Sequence, residues 1–106
     1  MIHSIKCVNP FFEDVLAGKK TFEVRKNDRR YKVGDLLLLH EYNPEREIYM
    51  KRRCLVEVTY MIKGSSLYGI RIGYAILGIR NFEYDPNRLD IEEFNKINVS
   101  TQKDES

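Results

Sequence analysis

Gly18-Lys19-Lys20-Thr21-Phe22-Glu23-Val24-Arg25 carries the turn from helix to strand from which the rest of the chain is read. Gly18 suits the position just past a helix end, because glycine takes left-handed backbone without the steric cost of a Cβ. Thr21 to Arg25 then alternates polar and apolar strictly, the period of a strand. Hydrophobicity assigns Phe22 and Val24 to the interior, and the period of two gathers Thr21, Glu23 and Arg25 on the opposite face. Two readings stand for that face. One is a structural ion pair between Glu23 and Arg25. The other is a small polar pocket in which Lys20 and Arg25 hold a phosphate or base edge and Glu23 orients them.

Upstream, Ile2 to Val8 reads as a first strand, with Ile5 and Cys7 on one face and Lys6 on the other. Asn9-Pro10 gives a helix start, with Asn as cap and Pro at the first helical position. The helix runs from about Pro10 to Ala17, with Phe11, Phe12, Val15 and Leu16 as one apolar face. Downstream, Asn27-Asp28 and Val33-Gly34-Asp35 are turn signals, and Asn43-Pro44-Glu45 turns the chain after a buried strand from Leu36 to Tyr42. Ile48 to Ile62 reads as one long or bent strand pair, with Cys54, Val56, Val58 and Tyr60 sharing a face. Lys63 to Gly73, with three glycines and two serines, reads as a loop, and Tyr74 to Ile79 as the last clear strand. Asp90 to Ile97 has the makings of a short helix, followed by a disordered tail. The expected fold class is α+β, mostly β: a small mixed barrel of about six strands, a short helix after the first strand and a second helix near the C-terminus.

The 106 residues fit one domain, and 42% apolar with 32% charged residues is a globular composition. The longest apolar runs are four residues, Leu36–Leu39 and Tyr74–Leu77. A membrane span takes about 20 and a signal peptide core roughly 7–15, so no membrane partner is expected and a cytoplasmic setting is. Cys7 and Cys54 are too few for a disulfide framework and read as buried thiols. His3 and His40 have no metal-ligand partner at i+2 or i+4, so no metal is expected. Lys63-Gly64-Ser65-Ser66 matches neither a phosphate-binding loop nor a dinucleotide fingerprint, and no cofactor is called for.

The net charge of +2 conceals a division. Residues 1–80 hold fifteen Lys/Arg against nine Asp/Glu, a net of +6, and residues 81–106 hold three against seven, a net of −4. Lys19 to Lys32 alone carries seven cations and two acids, and Lys51-Arg52-Arg53 is a second cluster. Such local excess attracts polyanions whatever the total. Lys20, Arg25, Lys26, Arg29 and Arg30 are the expected contacts to phosphate or base edges. Tyr31, within the basic run, and Tyr68, in the glycine-rich loop, are the expected stacking surfaces.

The spacing Gly18-x-Lys20-x-x-Glu23-x-Arg25 after a short helix resembles the signature of the ASCH family, in the PUA-like superfamily. Arg25-Lys26-Asn27-Asp28-Arg29, Lys32-Val33-Gly34-Asp35, His3, and Tyr68-Gly69-Ile70 with Gly73-Tyr74-Ala75-Ile76-Leu77 resemble a small bacterial and phage branch of unassigned function. The resemblance covers about residues 1 to 80. It implies a β-barrel flanked by helices, with a cleft lined by the motif residues in which relatives are thought to bind RNA or other nucleic acid. One branch hydrolyses the amide of acetylated cytidine, with a threonine nucleophile three residues after a lysine. Here Glu23 stands three residues after Lys20, and Gly18 stands three before Thr21. A binding module for RNA or a nucleotide-like small ligand is therefore favoured over a hydrolase acting on a modified nucleoside or RNA. For the hydrolase, Lys20, Glu23 and His3 are the catalytic candidates, His3 as a proton shuttle. Residues 1–82 would form the barrel domain and 83–106 an acidic extension able to fold over the cleft. Nothing in the sequence sets an oligomeric state.

Overall fold

In the computed structural model, which describes residues 1–82, five strands form a single sheet. They are β1 (Ile2–Val8), β2 (Phe22–Lys26), β3 (Leu36–Asn43), β4 (Ile48–Ser65) and β5 (Ile70–Asn81), with one helix, α1 (Phe11–Leu16), after β1. The acidic extension at 83–106, the helix expected at Asp90–Ile97 and the tail beyond it lie outside the described residues. The strand order is β1-β3-β4-β5-β2. β1 runs parallel to β3 and the remaining pairs are antiparallel. Among the described residues no helix is long and apolar enough to cross a membrane.

The fold is mostly β, with one strand fewer than expected. Ile48 to Ile62 is not a strand pair but part of one 18-residue strand, whose pairing with β5 slips between Val58 and Tyr60. An extra residue in one strand turns the following side chains to the other face. That is why Cys54, Val56 and Val58 are buried while Tyr60, expected beside them, is exposed. Lys63 to Gly73 is likewise not a loop. β4 and β5 continue through it as a hairpin arm, and the turn itself is a 3₁₀ turn at Ser66–Tyr68 followed by Gly69 at φ 69°. A Cβ on Gly64 would sit 1.9 Å from the Arg71 carbonyl oxygen, so this glycine permits close strand approach instead of breaking the strand.

α1 begins with Asn9 Oδ1 accepting the Glu13 amide at 3.1 Å and ends with Gly18 at φ 76°. The backbone amides of Lys19 and Lys20 return to the Asp14 carbonyl at 2.8 and 3.0 Å. Only Phe12 and Val15 are buried; Phe11 and Leu16, expected on the same apolar face, stay about half exposed, because six residues present one narrow stripe. Phe12 and Val15 join Ile5 and Cys7 of β1, Leu37 and Leu39 of β3, Val56 and Val58 of β4, and Ala75, Leu77 and Ile79 of β5 in one core.

β2 faces the opposite way from its hydrophobicity. Glu23 (4% exposed) and Arg25 (7%) point inward, opposite Leu77 and Ala75 of β5, while Phe22 (46%) and Val24 (54%) point out. The reason lies at the edges of the sheet. β1 and β2 are its two ends, and strand pairing does not close it into a barrel. Instead, Arg25 Nη2 donates to the Lys6 carbonyl at 2.6 Å and Arg29 Nη1 to the Ser4 carbonyl at 3.0 Å. Two carbonyls of β1 are thus satisfied by guanidinium groups instead of a backbone ladder, which requires Arg25 to be inside.

Candidate functional site

Between the two edge strands lies a cavity of about 180 Å³, walled by Lys6, Cys7 and Val8 of β1, Phe11 of α1, and Lys20, Glu23 and Arg25. The helix exit and the inward face of β2 bring the last three together. Glu23 Oε1 accepts from Lys20 Nζ at 2.5 Å, and Oε2 accepts from Arg25 Nε at 3.1 Å. Lys20 Nζ also donates to the Phe22 carbonyl at 2.7 Å and lies 5.6 and 5.0 Å from the ring centroids of Phe11 and Phe22, within cation–π reach. One carboxylate therefore holds two cations, which leaves the group with a net positive charge in a poorly solvated setting. An anion or an electron-rich base edge complements it.

Size narrows what fits. The cavity equals the liquid volume of about six waters at ~30 Å³ each and falls below the ~300–1,000 Å³ of pockets that enclose drug-sized ligands. It suits a phosphate or one edge of a planar ring. Cys7, on the cavity wall, is pushed up to about 12, first by burial and then by the Glu23 carboxylate, against the opposing pull of Arg25 and Lys20. A thiol held neutral is a soft wall and a poor nucleophile.

Of the residues expected in the site, Lys20, Glu23 and Arg25 converge and the others disperse. Arg29 lies across the edge of β1, as described. Lys26 and Arg30 are exposed. Tyr31 is a correction: its ring is buried in the core and meets His3 edge-on at 4.8 Å between centroids, which leaves no face for a stacked base. Tyr68 is exposed at the tip of the β4–β5 hairpin. His3 does not line the cavity. It is buried, with Nε2 bonded to Asp35 Oδ2 at 2.9 Å. Burial alone would raise the Asp35 carboxyl, but hydrogen bonds from His3 and the Lys32 amide outweigh it and hold it below its ordinary value.

The second basic cluster is partly neutralised from within. Arg52 donates from Nε to Glu41 Oε1 at 3.0 Å and from Nη2 to Oε2 at 2.7 Å, and also bonds Glu13. Asn9 Nδ2 donates to the same Glu41 oxygen at 2.8 Å. The hydrogen bonds from Arg52 are the main reason the Glu41 carboxyl stays below its usual range. The signal for this network was a carboxylate at an inward position of an apolar strand, and its partners could not be named from sequence. Among the described residues, no group of three or more His, Cys, Asp or Glu is placed to hold a metal ion.

Fold and site together define a small, mostly β domain with a Lys–Glu–Arg triad, its Glu23 and Arg25 buried and its Lys20 partly so, set between its edge strands. The chain belongs to the family described as a domain of unknown function, DUF3850, which it matches over residues 2–79, a span containing the whole triad. It is also similar to a protein of Escherichia phage P2 described as an uncharacterized 12.9 kDa protein in the GpA 3' region, at 51% identity over 41 residues. That stretch is 39% of this chain and spans only 38% of the phage protein.

Proposed function

We propose that this protein is an RNA-binding (nucleic-acid-binding) module whose cleft takes a phosphate or base edge between Lys20 and Arg25, with Glu23 holding both in place. The observation that carries the reading is the triad itself: two cations fixed by a single carboxylate at the wall of a cavity of about 180 Å³. The resemblance of Gly18-x-Lys20-x-x-Glu23-x-Arg25 to the ASCH signature supports it. So do the two arginine bridges across the open edge of β1, which suit a PUA-like barrel completed by side chains. Binding is preferred to hydrolysis because Cys7 is held as a neutral thiol and His3 is engaged by Asp35 outside the cavity.

The test is fluorescence anisotropy with short single-stranded RNAs at several salt concentrations. Affinity should fall with log salt at a slope of about −0.7 per phosphate contact, and Lys20→Ala should reduce both affinity and slope. Binding no tighter than that of a control protein of equal charge would overturn the proposal.

A further inference from the structure

The inversion of β2 has a second result: it sets an apolar, partly aromatic face on the outside of the sheet. Strand register places Phe22, Gly78 and Tyr60 in one row across β2, β5 and β4, and Val24, Ile76 and Ile62 in the next. Phe22, Val24 and Tyr60 are 46%, 54% and 67% exposed. Exposed apolar faces of this kind mark contact surfaces.

Gly78 shapes the first row. Neighbouring strands of a sheet lie about 4.8 Å apart, so the Phe22 and Tyr60 backbones stand about 9.5 Å apart across β5. Gly78 puts no side chain between them, and the nearest side-chain atom is the Thr59 hydroxyl, 3.2 Å from where a Gly78 Cβ would stand. A planar base laid over Gly78 would have an aromatic side chain on either side, Phe22 on β2 and Tyr60 on β4. A side chain at this position would narrow the slot, since even a Cβ would lie 3.3 Å from the Tyr60 Cβ.

The surrounding charge selects the partner. From Val58 to Arg80 the chain has no acidic residue, while Arg71 lies 5.6 Å from the Tyr74 ring centroid and Lys26 stands opposite Tyr74 in register. Glu23, the acid of β2, faces inward. Glu57, nearby on β4, is bound by Arg80. Cations beside aromatic rings, on a stretch that carries no acid from Val58 to Arg80, complement a polyanion that carries planar rings.

We infer that the outer face of β2, β5 and β4 is a base-stacking platform for single-stranded nucleic acid, with Phe22 and Tyr60 flanking a base over Gly78. It rests on the nucleic-acid reading of the cleft and extends it, because the Phe22 ring that walls the platform also lies against Lys20 Nζ. A strand stacked on the platform leads over Phe22 toward the triad.

Full-length protein would be titrated with fluorescein-labelled octauridylate by anisotropy, using wild type, Tyr60→Ala, Phe22→Ala and Lys20→Ala. Stacking contributes enough per base that Tyr60→Ala and Phe22→Ala should each weaken binding about tenfold. For Tyr60→Ala the salt slope should stay unchanged, since no phosphate contact is lost, whereas Lys20→Ala should reduce the slope by about 0.7. Wild-type affinity in Tyr60→Ala alongside weakened Lys20→Ala would overturn the platform and leave the cleft reading standing. Weakened Tyr60→Ala with unchanged Lys20→Ala would support the platform and count against the cleft. An octamer that does not bind wild type overturns both. Sedimentation equilibrium on the same samples covers a competing occupant: a dimer abolished by Tyr60→Ala, with RNA affinity unchanged, would overturn the platform in favour of a second copy of the chain.

Discussion

Arg25 Nη2 donates to the Lys6 carbonyl at 2.6 Å, so a single side chain spans β1 and β2, which are not neighbours in the sheet. The same guanidinium binds Glu23 through Nε. It thereby ties the geometry of the cleft to the closure of the fold, and the cleft cannot lose Arg25 without loosening the sheet edges.

Arg25→Met should therefore destabilise the protein by about 3–5 kcal/mol, the range for removing one partner of a buried ion pair. Arg25→Lys should recover less than half of that, because an ammonium lacks the planar fork that reaches carboxylate and carbonyl together. Urea unfolding at pH 7 measures both. A cost below about 1 kcal/mol for Arg25→Met would mean that the bridge does not hold the edges.

The orientation of β2 has its own test. Val24→Ser should change stability by no more than about 0.5 kcal/mol, as for an exposed position, while Leu77→Ala on the neighbouring strand should cost about 2–5 kcal/mol. If Val24→Ser proved as costly as Leu77→Ala, β2 would be facing the other way.

Cys7 should resist alkylation. Its ordinary value is 9.0 and the folded protein pushes it up to about 12. Iodoacetamide at pH 8 should label native protein far more slowly than urea-unfolded protein. The raised value also favours the folded state, in which the proton is held. This contribution is complete below pH 9 and is lost as the pH rises through about 12. The Cys7→Ala variant should show a shallower loss of stability across that alkaline window.

At the acid end, Asp35 and Glu41 act with the opposite sign. Both carboxyls are held below their ordinary values of 3.8 and 4.5. The stability they contribute is complete above those values and is lost as the pH falls through the lowered ones. Asp35→Asn weakens charge-assisted bonds to His3 and the Lys32 amide and should cost about 1.5–3 kcal/mol at neutral pH. Its acid-unfolding profile should be flatter than that of wild type.

Strand positions and the motif were legible in the sequence because they are local. Ile2–Val8 and the Leu36 strand follow from apolar patterning, the helix end from Gly18, and the Lys20, Glu23 and Arg25 cluster from its spacing. Patterning alone assigned Phe22 and Val24 to the core, since nothing within five residues shows that an edge carbonyl of Lys6, nineteen positions from Arg25, needs a donor. Tyr31 looked like a surface ring because its neighbours are basic, and only the packing of β1 buries it against His3. Glycines at 64, 69 and 73 looked like a loop because a glycine that breaks a strand and one that allows two strands to approach are the same letter. Residue order thus determined which segments extend and which chemistry they carry. The direction each face points was decided by long-range hydrogen bonds and strand order, which exist only once the sheet has formed.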